Sequence, residues 1–163
     1  MIRTLLGLAL GTLVATQAVA LPPVIYVMRH LERDAGRDPD LNAVGVANAE
    51  RLAMWFRRDP PRAIYVTQFK RARQTAVPLA ARLRVTPVSY DANAPEPMLT
   101  AVRAARHPVL IVGHSNTVPR LVEALGGPKA TGDLADTDYG RIWVLKRGKV
   151  MIARLGPADG KTE

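Results

Sequence analysis

Three histidines occur in the 163-residue chain, and two of them stand in equivalent settings. His30 follows an apolar run from Val24 to Met28 and then Arg29, while His114 follows the run Val109 to Val112 and then Gly113. An imidazole can serve as nucleophile, as acid or base, or as a plain hydrogen-bonding group. One histidine past a strand often does no more than the last of these. Two at the same place on parallel strands meet at one sheet edge, where open α/β sheets hold their ligands. Arg29 adds a fixed positive charge beside His30. A second basic segment, Thr67 to Ala76, puts Lys70, Arg71 and Arg73 where a helix should open behind another strand. The helix dipole disfavours cations there unless an anion shares the site. A phosphate held by Arg71 resolves that conflict, with Lys70 and Arg73 turned to solvent. His107, ahead of Pro108, reads as a surface turn residue.

The elements that must position these groups follow from apolar spacing. Solid apolar runs at Val24–Met28, Ala63–Val66 and Val109–Val112, with a weaker one at Val85–Tyr90, fit strands buried on both faces of a parallel sheet. Helical spacing lies between them. Val46, Ala49, Leu52, Ala53 and Phe56 share a face behind Asn42, a suitable N-cap. Ala72, Ala76, Leu79 and Leu83 form a second stripe, with Pro78 expected to kink the helix. Met98, Ala101, Val102 and Ala105 form a third, and Val118, Leu121, Val122 and Leu125 a fourth, closed by Gly126 and Gly127. Ser115 or Asn116 is expected to cap that last helix. The segments Arg141–Leu145 and Val150–Leu155 flank a Lys-Arg-Gly-Lys turn and predict a terminal hairpin. The fold class expected is α/β: a three-layer sandwich with a mostly parallel central sheet flanked by helices, and a C-terminal antiparallel hairpin at one edge.

Four pieces in order resemble the histidine phosphatase superfamily, also called phosphoglycerate mutase-like. They are Arg29-His30 after a strand, Leu41-Asn42-Ala43-Val44-Gly45, the segment Arg71-Ala72-Arg73-Gln74-Thr75-Ala76, and Gly113-His114. The resemblance runs from about Val24 to Leu145. It implies that His30 attacks phosphorus and becomes a phosphohistidine, which water then hydrolyses. Arg29, Arg71 and His114 would surround the phosphoryl oxygens, without metal or other cofactor. Ser115 and Asn116 would touch the substrate. This chain departs from the family pattern in two places. Leu31 stands where the family usually has glycine, and Ser115 stands where acid-phosphatase branches carry aspartate after the second histidine. The proton donor for the leaving group therefore falls to Glu32 or Glu96 as candidates. A donor is less needed for phosphoramidates and anhydrides, which have good leaving groups.

Two other readings compete. In one, Ser115 is the nucleophile of a serine hydrolase, but Thr117 occupies the small-residue position of G-x-S-x-G and no histidine follows. In the other, the chain binds an anion without turning it over. Composition narrows the partners. The balance of 23 Lys+Arg against 14 Asp+Glu, formally +9, suits anionic ligands. With 5% aromatics, stacking on nucleic-acid bases is not expected. Residues 1–20 have the layout of a secretory signal peptide: Arg3, an apolar stretch, and Ala18-Val19-Ala20 for cleavage. One domain would then span 21–163, periplasmic and with no stable membrane anchor. A cysteine-free chain cannot be lipidated as a bacterial lipoprotein or rely on disulfides. The partner expected is a small phosphorylated substrate, with phosphorylated envelope components one class that fits an exported protein. The sequence carries no signal for oligomeric state.

Overall fold

A computed structural model describes residues 22–156. The signal-peptide expectation, Leu21 and the tail from Pro157 lie outside the described residues. Within them strand and helix alternate as β1 (Ile25–Arg29), α1 (Ala43–Trp55), β2 (Ala63–Thr67), α2 (Lys70–Leu83), β3 (Val88–Tyr90), α3 (Glu96–Ala104), β4 (Val109–Gly113) and α4 (Val118–Ala124), then β5 (Arg141–Lys146) and β6 (Lys149–Arg154). The sheet runs β3-β2-β4-β1-β5-β6. Its first four strands are parallel, with Ile25 and Ala63 both level with Val109. β5 lies antiparallel on β1 and turns back into β6 at the edge.

Alternate residues of each strand feed two cores. Tyr26, Met28, Ile64, Val66, Leu110 and Val112 pack under α1 and α2. Ile25, Val27, Val109 and Ile111 pack under α3 and α4. The result is the expected three-layer arrangement. Burial on both sides explains why β1 and β4 are solid apolar runs, each buried residue adding roughly 1.5–3 kcal/mol.

Local details differ from the sequence expectation at four points. Val46 is 53% exposed, because α1 turns Gly45 inward together with the expected Ala49, Leu52 and Ala53. β3 is confined to Val88–Tyr90, since Arg84 takes a left-handed conformation that ends α2 and Val85 is used in closing that turn. The position before α4 is Thr117, not Ser115 or Asn116, and no side chain caps that helix. α3 turns Met98, Leu99 and Val102 inward and leaves Ala101, expected on its inward stripe, exposed. Asn42 does cap α1, its side-chain oxygen accepting from Gly45 N at 2.9 Å.

Candidate active site

β1 and β4 end side by side, with Arg29 level with Gly113. The ladder continues one step further, His30 N donating to Gly113 O at 2.9 Å. That bond ties the first histidine to the residue preceding the second. The two rings stand 5.3 Å apart, both nearly sealed from solvent. Arg71, second residue of α2, lies between them. Its Nε donates to His30 Nε2 at 3.1 Å and its Nη2 reaches His114 Nδ1 at 3.3 Å.

These contacts fix the tautomers. His30 Nδ1 lies 2.8 Å from Leu31 O, which can only accept, so Nδ1 carries the proton and Nε2 presents its lone pair. In His114, Nδ1 accepts from Arg71, so Nε2–H donates to Thr67 Oγ1 at 2.9 Å. Burial, opposed by the Leu31 carbonyl and helped by His114, Arg71 and Arg29, lowers the His30 pKa to about 3. Burial and then Arg71 and Arg29 lower that of His114 to about 4. Both rings are neutral at pH 7.

Arg29 is clamped from the loop before β5. Its Nη1 donates to Ala135 O at 2.8 Å and Asp136 O at 3.2 Å, its Nη2 to Tyr139 Oη at 3.3 Å, and its guanidinium lies 4.2 Å from the Tyr139 ring centre. Its Nε is buried with no acceptor among the described residues. A buried N–H without a partner is uncommon, and an anionic oxygen would complete it. Arg71 stacks on Phe69 at 4.6 Å and pairs with Asp38 at 3.4 Å.

Leu31 is fully buried in the core under α1 and α2, its backbone is outside the positive-φ region, and its N–H donates to Thr75 Oγ1 at 3.0 Å. The other candidates scatter. Glu32 is held by Asn48, whose Nδ2 donates to its two carboxylate oxygens at 3.0 and 2.9 Å. Glu96, in the first turn of α3, lines a neighbouring cavity of about 380 Å³ together with Asn116 and Arg120. The Ser115 hydroxyl has no imidazole hydrogen-bonded to it among the described residues, and both rings beside it are engaged elsewhere. Lys70 and Arg73 are exposed, Lys70 reaching Asp40. Sequence reasoning missed Thr67, Asp38 and Tyr139. Only Thr67 left a trace, as a polar residue closing an apolar strand.

Residues 25–97 match the histidine phosphatase superfamily (branch 1). No curated protein matches the chain. Among solved structures, a candidate phosphohistidine phosphatase SixA from Agrobacterium tumefaciens is 26% identical with a TM-score of 0.60, over 82% of this chain and 94% of that one. The protein histidine phosphatase SixA in complex with tungstate has a TM-score of 0.60 at 19% identity, over 80% and 94% of the two chains. A mycobacterial glucosyl-3-phosphoglycerate phosphatase in complex with VO3 has a TM-score of 0.62 at 16% identity, over 81% and 97%. The family profile covers β1 to the start of α3, and the histidine of β4 beyond it meets the first one across the sheet; over residues 25–97 the chain is similar to the histidine phosphatase superfamily.

Proposed function

We propose that this chain is a phosphatase that works through a phosphohistidine on Nε2 of His30. One observation carries the reading: a buried neutral imidazole, its Nδ1 proton committed to Leu31 O, aims the Nε2 lone pair at Arg71. An incoming phosphoryl group displaces that hydrogen bond and takes the guanidinium for its own oxygens. The Nε2–P bond forms as the bond from phosphorus to the leaving group breaks. Arg29 and Arg71 stabilise the charge on the oxygens, and His114, whose Nδ1 lone pair faces the site, donates to them only once Nδ1 takes up a proton. Water then attacks phosphorus, the N–P bond breaks, and phosphate leaves with His30 neutral again. The two guanidiniums supply the positive charge, so chelators should leave turnover unchanged.

The substrate is a small phosphate monoester or related phosphoryl compound. Glu32 is occupied by Asn48, whereas Glu96 lines a cavity that it shares with Asn116 and Thr117, and Thr117 accepts from His114 N at 2.9 Å. Of the two, Glu96 is the better placed proton donor. Weak dependence on an acid favours phosphoramidates, anhydrides and aryl esters over alkyl esters. The layout of residues 1–20 supports export to the periplasm, which cell fractionation checks.

The test is p-nitrophenyl phosphate hydrolysis by wild type and His30→Ala. Turnover should vanish in the variant, and wild type trapped during turnover should carry an acid-labile, base-stable phosphoryl label. Vanadate binding with neither turnover nor label would assign the site to anion binding alone. A label surviving acid would return Ser115 to consideration.

A further inference from the structure

The charge of the molecule is unevenly placed between the two ends of its sheet. At the active-site edge cations have acids among them: Asp34, Asp38 and Asp40 follow β1 alongside Arg33 and Arg37, Asp38 and Asp40 pair with Arg71 and Lys70, and Asp133, Asp136 and Asp138 precede β5. The opposite edge, where β1, β2 and β4 begin, is different. Two depressions open there. One, at the starts of β2 and β4, is lined by Arg58, Arg62 and Arg106. The other, of about 240 Å³, is rimmed by Lys146, Arg147 and Lys149 of the β5–β6 turn. Asp59 is the one carboxylate lining either, and it pairs with Lys146 at 3.7 Å. The same ion pair joins the two depressions into one surface.

Part of this charge has a structural explanation. Helices that return antiparallel to the strands point their C-termini at this edge, where cations complement the dipole. Arg103 does this, donating to Ala124 O at 2.7 Å. Arg58, Arg62, Arg147 and Lys149 do not. Each is exposed, sits outside a helix, and forms no side-chain hydrogen bond or ion pair with a described residue. These four cations face a single carboxylate, Asp59, which is paired with Lys146, and a bound polyanion would relieve their mutual repulsion.

We propose that this basic edge docks on an anionic lipid surface. Between the three cations of the hairpin turn, the floor of the 240 Å³ depression is Pro22, Pro23, Ile25, Leu125, Leu145 and Val150. Charge around an apolar floor matches the boundary between headgroups and acyl chains. Nucleic acid would instead call for aromatic stacking surfaces, and neither depression is lined by Phe, Trp or Tyr. At the end of α1, Trp55 is 37% exposed beside Arg57 and Arg58, in keeping with the place of tryptophan at membrane interfaces. Among the described residues no helix is long and apolar enough to cross a membrane. Docked in this way, the protein turns His30 and His114 away from the lipid. Its substrate would be met in solution and not in the surface it rests on.

The test is co-sedimentation of the purified protein with phosphatidylcholine vesicles, with and without phosphatidylglycerol. Binding should require phosphatidylglycerol and fall with salt. A near-surface cation contributes about five-fold, so R147E/K149E should weaken binding by about an order of magnitude or more, with p-nitrophenyl phosphate turnover unchanged. Arg73→Glu, one charge reversal at the start of α2 on the active-site side, should bind almost as wild type. Three results would overturn the proposal: no preference for phosphatidylglycerol, equal weakening by Arg73→Glu and Arg147→Glu, or tighter binding to a duplex oligonucleotide at the same salt. All are independent of whether His30 is the nucleophile.

Discussion

His30 can attack only as a neutral imidazole with its lone pair on Nε2, and its neighbours impose that state before substrate arrives. The sign of the pH effect follows. Protonation removes the lone pair, so the imidazole imposes an acid limb on kcat/KM, placed by burial at about 3 and not at the ordinary histidine value. With a substrate whose own phosphate ionisation is corrected for, the rate should stay level from pH 7 to below pH 5. A limb near 6.5 would show that the ring is solvated. His114 depends on Thr67 in the same sense. Thr67→Val leaves its Nε2–H without the 2.9 Å acceptor, and a buried donor left unpaired costs about 1–3 kcal/mol. We expect kcat to fall by roughly ten-fold or more if that cost is expressed in the transition state, with KM little changed; steady-state kinetics separates the two. Leu31, the departure from the family's glycine, proves to be a core residue whose carbonyl orients His30. Leu31→Gly should therefore cost roughly 2–5 kcal/mol in denaturant unfolding without raising activity.

The same economy holds for the elements. Gly45 lies in α1 where it crosses the chain leaving His30: a Cβ there would come to 2.0 Å from Glu32 O, against backbone that cannot swing aside. Gly45→Ala should separate α1 from that segment, costing about 3 kcal/mol or more and disturbing His30 as well, which thermal melts and vanadate affinity would both register. This gives the glycine of the Leu-Asn-Ala-Val-Gly segment a physical role that spacing alone does not supply. Legibility in the sequence followed burial. β1 and β4 were readable because both of their faces are covered, and Arg29, His30 and His114 were readable because they end those strands. α1 was readable as an element, with Ala49, Leu52 and Ala53 correctly inward, yet its face was misjudged at Val46 because close packing selected Gly45, which carries no hydrophobic signal. Thr67 closes a predicted strand, but its bond to His114 joins residues 47 positions apart. Asp38 and Tyr139 come from loops whose path is set by the residues they clamp, Arg71 and Arg29, so no local pattern announces them.

For the molecule as a whole, the active site is a place where stability is held at the expense of acid tolerance. Both histidines are buried and neutral, with folded-state values of about 3 and 4 against an ordinary 6.5. In the unfolded chain both take up protons below 6.5, while in the folded chain they do not. Unfolding thus absorbs protons in the window between those values, and stability rises with pH across it. The slope is roughly 1.4 kcal/mol per pH unit for each histidine while the two states differ fully. Carboxylate ion pairs add their own loss at lower pH, so the histidine share needs a control. In H30N/H114N the dependence of unfolding free energy on pH between 6.5 and 5 should flatten relative to wild type, although the variant lacks both rings and their packing. Vanadate should act in the opposite direction on wild type. A bound anion offsets the charge of Arg29 and Arg71 and raises both histidine values, so its stabilising effect should grow as pH falls from 7 to 5. Melts at the two pH values with and without vanadate measure this. A vanadate effect that shrinks as pH falls would show that the bound anion does not raise the histidine values.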